Sequence, residues 1–220
     1  MKLSVINGSP RGASGNTATL LEHFKQGFLE IEGNSFDIIH SIKNRPEFAE
    51  EKNMFLNSER LIIAFPLYVD AMPGSVKDLF ESFEPLKGKN PELKLMFMIQ
   101  CGFPETHHTR FAARYCEKLT SKLGCTFAGA ICKGGCEGLT VQPPALVDKV
   151  FTRFHQLGKE YGVTGELDST ILGKLAHPEH LTSENIAQVI PMVNNFLWDG
   201  MLKKNNALDK SFDKPFGDDL

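Results

Sequence analysis

Eleven residues near the start of the chain, Asn-Gly-Ser-Pro-Arg-Gly-Ala-Ser-Gly-Asn-Thr at positions 7–17, combine glycines, hydroxyls and one arginine. Gly8, Gly12 and Gly15 permit close backbone approach, Ser9, Ser14 and Thr17 offer hydroxyl donors, and Arg11 offers a charged fork. If a helix follows, its first N–H groups add further donors, and the whole is an anion cradle whose natural guest is phosphate. The GxxxxGK[ST] pattern of nucleotide-hydrolysing loops is absent, as is GxGxxG, so a nucleoside triphosphate is disfavoured. A second stretch, FPLYVDAMPGSVKDLF at 65–80, presents Leu67, Tyr68, Val69 and Met72 on a loop stiffened by Pro66 and Pro73. An apolar, aromatic wall beside a phosphate cradle suits a flat ring carried on a phosphate tail. A third stretch, QCGFPETHH at 100–108, brings another Gly and Pro.

These loops need a frame that gathers them. Apolar strand-like runs occur at 2–7, 36–41, 61–65, 93–100 and 125–132. Helical stripes lie between them: Leu20, Leu21, Phe24, Phe28 and Ile31; Val76, Leu79, Phe80 and Phe83; Ala112, Tyr115, Cys116, Leu119 and Leu123; Val147, Val150, Phe151, Phe154, Leu157 and Tyr161. The segment 46–57 reads as a short, weaker helix. Asn16 or Thr17 is the expected cap of the first helix and Ser75 that of the helix after the third strand, while Gly124 and Gly162 read as stops. Strands alternating with helices imply right-handed crossovers and an α/β, three-layer fold around a five-stranded parallel sheet in the order 2-1-3-4-5. In such a sheet the ligand lies beyond the carboxyl ends of the strands where the order reverses, beside the first strand, and all three loops follow strands at that edge. Residues 1–165 form this domain. Residues 166–220 read as a helical extension, helical from 182 to 204 with an interruption at Pro191, whose Ile186, Ile190, Val193, Leu197 and Met201 must cover the domain or a second subunit.

Composition narrows the partners. The 220 residues carry 24 basic and 27 acidic side chains and are 41% apolar, which gives no basic surplus for nucleic acid and no acidic excess of the disordered kind. A strand-like run directly after Met1 and the lack of a long apolar run imply a cytoplasmic protein without a membrane segment. The five cysteines are odd in number and lie between Cys101 and Cys136, so reduced thiols are expected rather than disulfides.

Taken together, N-G-S-P-R-x-x-S-x-N-T at 7–17, P-L-Y-x-x-x-x-P-G-x-x-K at 66–77 and G-F-P-E at 102–105 resemble the NAD(P)H-dependent FMN reductase family of flavodoxin-like flavoproteins, over roughly residues 1–165. The resemblance implies that Ser9, Arg11, Ser14, Asn16 and Thr17 bind the FMN phosphate. It implies that Pro66, Leu67, Tyr68, Val69 and Met72 line the isoalloxazine ring, with Cys101, Gly102, Phe103 and Glu105 closing its other side. It further implies an oxidoreductase that passes hydride from NADPH or NADH through FMN to a small acceptor such as a quinone, a nitro or azo aromatic or a free flavin, and a homodimer. No catalytic side chain is singled out, because hydride transfer itself needs no protein acid or base. Some relatives hold an iron-sulfur cluster on cysteines in the loop after the third strand. No Cys lies between 65 and 100 here, so no cluster and no metal are expected.

Other constellations carry blander readings. Cys132 and Cys136 in CKGGCEG lack a neighbouring His, and residues 133–138 are expected to shape the crevice rim. Cys101 with His107 or His108 has no evident orienting third group. His177 and His180 in HPEH are expected on the surface or in packing. Asp37, Asp70 and Asp78 do not group as a phosphoacceptor pocket. The competing reading is a flavodoxin-type electron carrier, disfavoured by the modest charge; a non-flavin module that reuses the fold is the third.

Overall fold

A computed structural model describes residues 1–41, 47–140, 142–214 and 217. Five strands, β1 (Lys2–Asn7), β2 (Ser35–His40), β3 (Arg60–Pro66), β4 (Lys94–Gln100) and β5 (Thr126–Lys133), form one sheet in the order β2-β1-β3-β4-β5, every pair parallel. This is the flavodoxin-like arrangement that the alternation of apolar runs predicts. The inner strands are buried on both faces and therefore read as continuous apolar runs rather than alternating ones. Between Leu95 and Phe97 the β4–β5 register slips by one residue at Gly129, whose φ of 109° a side chain would resist.

Alternate strand residues serve two cores. Leu3, Val5, Ile62, Ala64, Met96, Met98 and Ile131 face helices α1 (Asn16–Leu29), α5 (Pro144–Thr164) and α6 (Ser169–Leu175). Ile6, Leu61, Ile63, Phe65, Leu95, Phe97 and Ile99 face α2 (Ala49–Asn57), α3 (Gly74–Ser82) and α4 (His108–Leu123). Each fully buried side chain of the α1 stripe, among them Leu20, Phe24 and Phe28, contributes about 1.5–3 kcal/mol. Helices α1 and α5 meet backbone to backbone: a Cβ added at Gly27 would lie 1.9 Å from the His155 carbonyl oxygen, and one at Gly158 would lie 1.9 Å from that of Phe24.

Several expected punctuation marks move. Gly124 does end α4 in the left-handed region at φ 77°. Gly162, expected as a stop, is instead a third close-approach glycine inside α5, which runs on to the left-handed Gly165. The first helix is capped by the backbone of Gly15, with Asn16 already inside it, and α3 begins after Pro73, so Ser75 lies in its first turn. In the segment expected at 46–57, Pro46 lies outside the described residues and the helix begins at Ala49.

Contacts divide the chain into two units, Met1–His180 and Leu181–Leu220. Helix α6 belongs to the first, with Leu175 fully buried in its core, although the sequence places the extension's start at 166. The second unit holds α7 (Ser183–Met192), capped by Thr182 Oγ1 on the Asn185 N–H, a π-helical stretch Val193–Trp198, and α8 (Asp199–Lys204). The expected interruption at Pro191 falls just beyond it: proline lacks an N–H and crowds the preceding turn, and the widened register follows. Leu197's side chain is outside the described set. None of the described residues of this unit is buried.

Candidate functional site

The turn after β1 ties itself with its own side chains. Asn7, fully buried at the strand end, donates from Nδ2 to the Gly12 carbonyl at 3.0 Å and accepts at Oδ1 from the Ser9 N–H at 3.0 Å. Gly12 donates back to Ser9 O at 2.8 Å and takes a positive φ of 56°, which is the one place in this turn where glycine's freedom is required. Arg11 uses only its backbone to hold the turn: its N–H reaches Ser9 Oγ at 3.3 Å and its carbonyl accepts from Ser14 Oγ at 3.0 Å. The exposed guanidinium makes no ion pair among the described residues. Helix α1 then starts without a side-chain cap, leaving first-turn N–H groups for a ligand.

Three loops meet in a crevice of about 80 Å³ at the carboxyl ends of β1, β3 and β4. Ser9, Arg11 and Asn16 supply one wall, Pro66, Leu67 and Tyr68 a second, and Cys101 and Gly102 a third. Two lining residues were not singled out from the sequence. Gln100 ends β4 and donates to Thr17 Oγ1 at 3.3 Å. Glu137, from the loop after β5, reaches across Gly102: a Cβ added at that glycine would lie 3.1 Å from the Glu137 carboxylate. The rim role expected of 133–138 is thus carried by Glu137, and Asn16 Nδ2 donates to the Cys136 carbonyl at 2.5 Å to pin that loop to α1. Gly134 packs so closely on the loop after β4 that a Cβ would come within 2.7 Å of Pro104 O.

The remaining expected contacts lie outside this crevice. Ser14 is exposed with its hydroxyl turned back onto Arg11, and Thr17 is fully buried beneath the cradle. Met72 lines a neighbouring groove of about 390 Å³ with Phe111 and Tyr115. Val69 is fully exposed at the tip of a tight turn closed by mutual backbone bonds between Tyr68 and Ala71, 2.9 and 3.1 Å long. Val69 and Asp70 both take positive φ, 52° and 56°, as the centre of a type I′ turn requires. A β-branched residue there is strained, and such strain concentrates at functional turns. Phe103 is exposed and stacks on His108 with centroids 4.7 Å apart, and Glu105 is placed with that histidine rather than in the crevice.

The thiols are unsuited to nucleophilic work. Burial pushes Cys101 up to about 11, and its Sγ lies 3.5 Å from the Phe103 carbonyl and 3.8 Å from that of Glu105. Burial likewise raises Cys116, Cys125, Cys132 and Cys136. All five are free of disulfides. Burial also lowers Lys133, which donates to the Gly134 carbonyl beneath the crevice.

No protein-family model and no curated protein matches the sequence. Solved structures do resemble the chain in shape. An FMN-dependent NADH-azoreductase from Bacillus anthracis, in complex with FMN, superposes with a TM-score of 0.57 at 13% identity, over 74% of this chain and 100% of that one. The apo form of an NADH:FMN oxidoreductase gives 0.55 at 20% identity, over 83% and 97%. An NADPH-quinone reductase from P. pentosaceus gives 0.52 at 15%, over 71% and 96%. At these identities the likeness establishes the fold, whose crevice lies where all three loops converge.

Proposed function

We propose that this chain is an FMN-dependent NAD(P)H oxidoreductase that reduces small acceptors such as quinones, nitro or azo aromatics or free flavins. The observation that carries the reading is the pairing, at one sheet edge, of an arginine without an ion pair among the described residues and an uncapped helix start with an apolar wall of Pro66, Leu67 and Tyr68. An anion with a flat ring attached satisfies both halves. The fold neighbours whose names include FMN and a nicotinamide donor support the cofactor pair.

The residues present fit the phosphate better than the ring. The enclosed space is well short of the roughly 300–1,000 Å³ of drug-sized pockets, so the enclosed part would hold the phosphate tail, and Tyr68 and Gly102 would border the ring at the open rim. Glu137 must swing aside to admit it. When bound, FMN supplies the hydride-accepting and hydride-donating centre. Ser9, Arg11 and the α1 N-terminus would hold the phosphate, and Leu67, Tyr68 and Gly102 would border the ring. Three charge-assisted hydrogen bonds at about 2 kcal/mol each give about 6 kcal/mol, and micromolar binding needs about 8. Ring contacts must provide the difference. The exposed Tyr68, Phe111 and Tyr115 bordering the ring position supply an apolar rim for the acceptor and for the second subunit of a homodimer.

The test is anaerobic mixing of FMN-loaded protein with NADH and NADPH in turn, following the visible absorbance of the flavin. Rapid two-electron bleaching by either supports the reductase. Bound FMN that dithionite reduces and neither nucleotide does would move the reading to a single-electron carrier of the flavodoxin type. Protein that stays folded and takes no FMN would overturn both.

A further inference from the structure

Where β4 leads into α4, on the outer side of the crevice, three side chains converge that sequence spacing did not assemble. One ligand-type atom from each of Glu105, His107 and His108 lies within 4.8 Å of the other two. Their neighbours set the tautomers. His108 Nδ1 lies 3.2 Å from Asp70 Oδ1. A carboxylate only accepts, so in the neutral ring Nδ1 carries the proton and Nε2 the lone pair. That Nε2 lies 3.8 Å from Glu105 Oε2. His107 Nδ1 lies 3.3 Å from the Glu179 carbonyl oxygen, another pure acceptor, which again leaves the lone pair on Nε2. Metal-ligating histidines are oriented in this way, one nitrogen fixed by an outer oxygen and the other presented to the ion.

The surroundings hold this geometry firmly. Thr106 N–H donates to Pro178 O at 3.0 Å and His107 N–H to Glu179 O at 3.2 Å. Arg110 grips the Glu179 carboxylate with both arms, at 2.8 and 2.6 Å. The His107 ring lies between that of His108, tilted against it with centroids 4.1 Å apart, and that of His180, stacked on it at 4.4 Å. The His-Pro-Glu-His segment expected to be surface or packing thus serves as the outer brace of the cluster.

We propose that Glu105, His107 and His108 bind one divalent transition-metal cation, with Asp70 and the Glu179 carbonyl holding the two imidazoles in register. Two imidazole nitrogens and one carboxylate favour a zinc-like ion over magnesium or calcium, which prefer all-oxygen sets. Ligands about 2.1 Å from a tetrahedral zinc are about 3.4 Å apart, so the three half-buried side chains need to contract by only about an ångström. Three protein ligands leave at least one position for water or for an oxygen of a small molecule. The ion would be held by the loop after β4, and its His108 ligand is tied through Asp70 to the turn after β3. The proposal stands on this side-chain geometry and does not depend on flavin binding.

The experiment is calorimetric titration of tag-free, EDTA-treated and desalted full-length protein with zinc chloride, with cobalt(II) absorption as a second readout. One zinc per chain with micromolar or tighter affinity is expected. His107→Gln and His108→Gln should each weaken it at least tenfold. Asp70→Asn, which removes only the brace, should weaken it about 10- to 100-fold, whereas His155→Gln should leave it unchanged. The cobalt spectrum should show ligand-field bands without thiolate charge transfer. Zinc binding that survives in the folded His107→Gln/His108→Gln double variant, a thiolate-type cobalt spectrum, or no binding below about 1 mM would each overturn the site. If the double variant does not fold, the cobalt spectrum of the wild-type chain decides.

Discussion

Replacing Arg11 with Ala separates the two jobs of the first loop. Everything Arg11 does for the fold is done by its backbone, through Ser9 Oγ, Ser14 N–H and Ser14 Oγ, and alanine keeps those bonds. The side chain only rests its stem near Gly15, where an added Cβ would lie 2.9 Å from Arg11 Cβ. Stability should therefore change by less than about 0.5 kcal/mol, as for an ordinary surface substitution. Ligand binding should change far more. A charge-assisted hydrogen bond is worth about 1.5–3 kcal/mol, and because the guanidinium is exposed the lower part of that range applies. A loss of about 1.5–2 kcal/mol is a roughly 10- to 30-fold rise in the Kd for FMN. Arg11→Lys keeps the charge but not the planar fork and should recover about half of that energy. Fluorescence quenching of FMN on binding, measured at two salt concentrations, gives the numbers; the wild type should lose more affinity with salt than the alanine variant. An Arg11→Ala chain that melts normally and binds FMN within twofold of wild type would refute the phosphate assignment.

Three further outcomes follow from other parts of the molecule. Glu137→Gln removes a carboxylate from the crevice wall and should tighten FMN binding by about threefold to tenfold, at the scale of a screened charge pair; weaker binding would mean that Glu137 contacts the ligand favourably. Gly27→Ala drives a Cβ against the His155 carbonyl and should destabilise the chain by about 2 kcal/mol even after alanine's helix preference is credited, lowering Tm by about 4–8 °C; a wild-type melt would contradict the close helix approach. His23 stacks on Phe151 at 4.2 Å and burial lowers it from the ordinary 6.5. The unfolded chain then binds the proton more readily, so this contribution is complete above about pH 6.5 and is lost as pH falls towards the depressed folded value. His23→Phe keeps the stack and should flatten stability against pH in that window, and an unchanged slope would assign it to other groups.

The fold was legible because its rules are periodic. Buried parallel strands are short apolar runs, and the helices between them carry stripes, so five strands and their order could be read before any contact was known. What escaped were features decided by close approach. Gly162 looks like a stop by type, and only the neighbouring helix reveals that it is needed for contact, through Asn34, Ile31 and the Phe28 carbonyl. Helix α6 lies in the segment that reads as an extension packing on the domain or on a second subunit, and which of its residues pack could not be read: Leu175 is buried in the core of the first unit. Periodicity finds faces, and it does not say which face two elements share.

The site divides in the same way. The first two walls of the crevice lie each within one short loop, so Ser9, Arg11, Pro66, Leu67 and Tyr68 stand out by residue type and order, whereas Asn16, Cys101 and Gly102 enter through the family resemblance; all eight line the crevice. Beyond Gly102 that loop turns outward. Phe103 covers His108, and Glu105 joins the two histidines, so a loop read as one ring-closing unit divides between the crevice and the outer cluster. The metal set was invisible because its bracing groups come from positions 70 and 179, on separate loops brought together only by the fold. The arrangement also bears on Glu105: its carboxylate lies 3.8 Å from His108 Nε2, and under the proposed function contact between the third loop and a ring would fall to Cys101 and Gly102. Glu105→Gln should accordingly leave FMN affinity within about twofold of wild type, inside the range of a surface substitution, while weakening zinc binding. The reverse pattern, measured on the same protein by the same two titrations, would return Glu105 to the crevice.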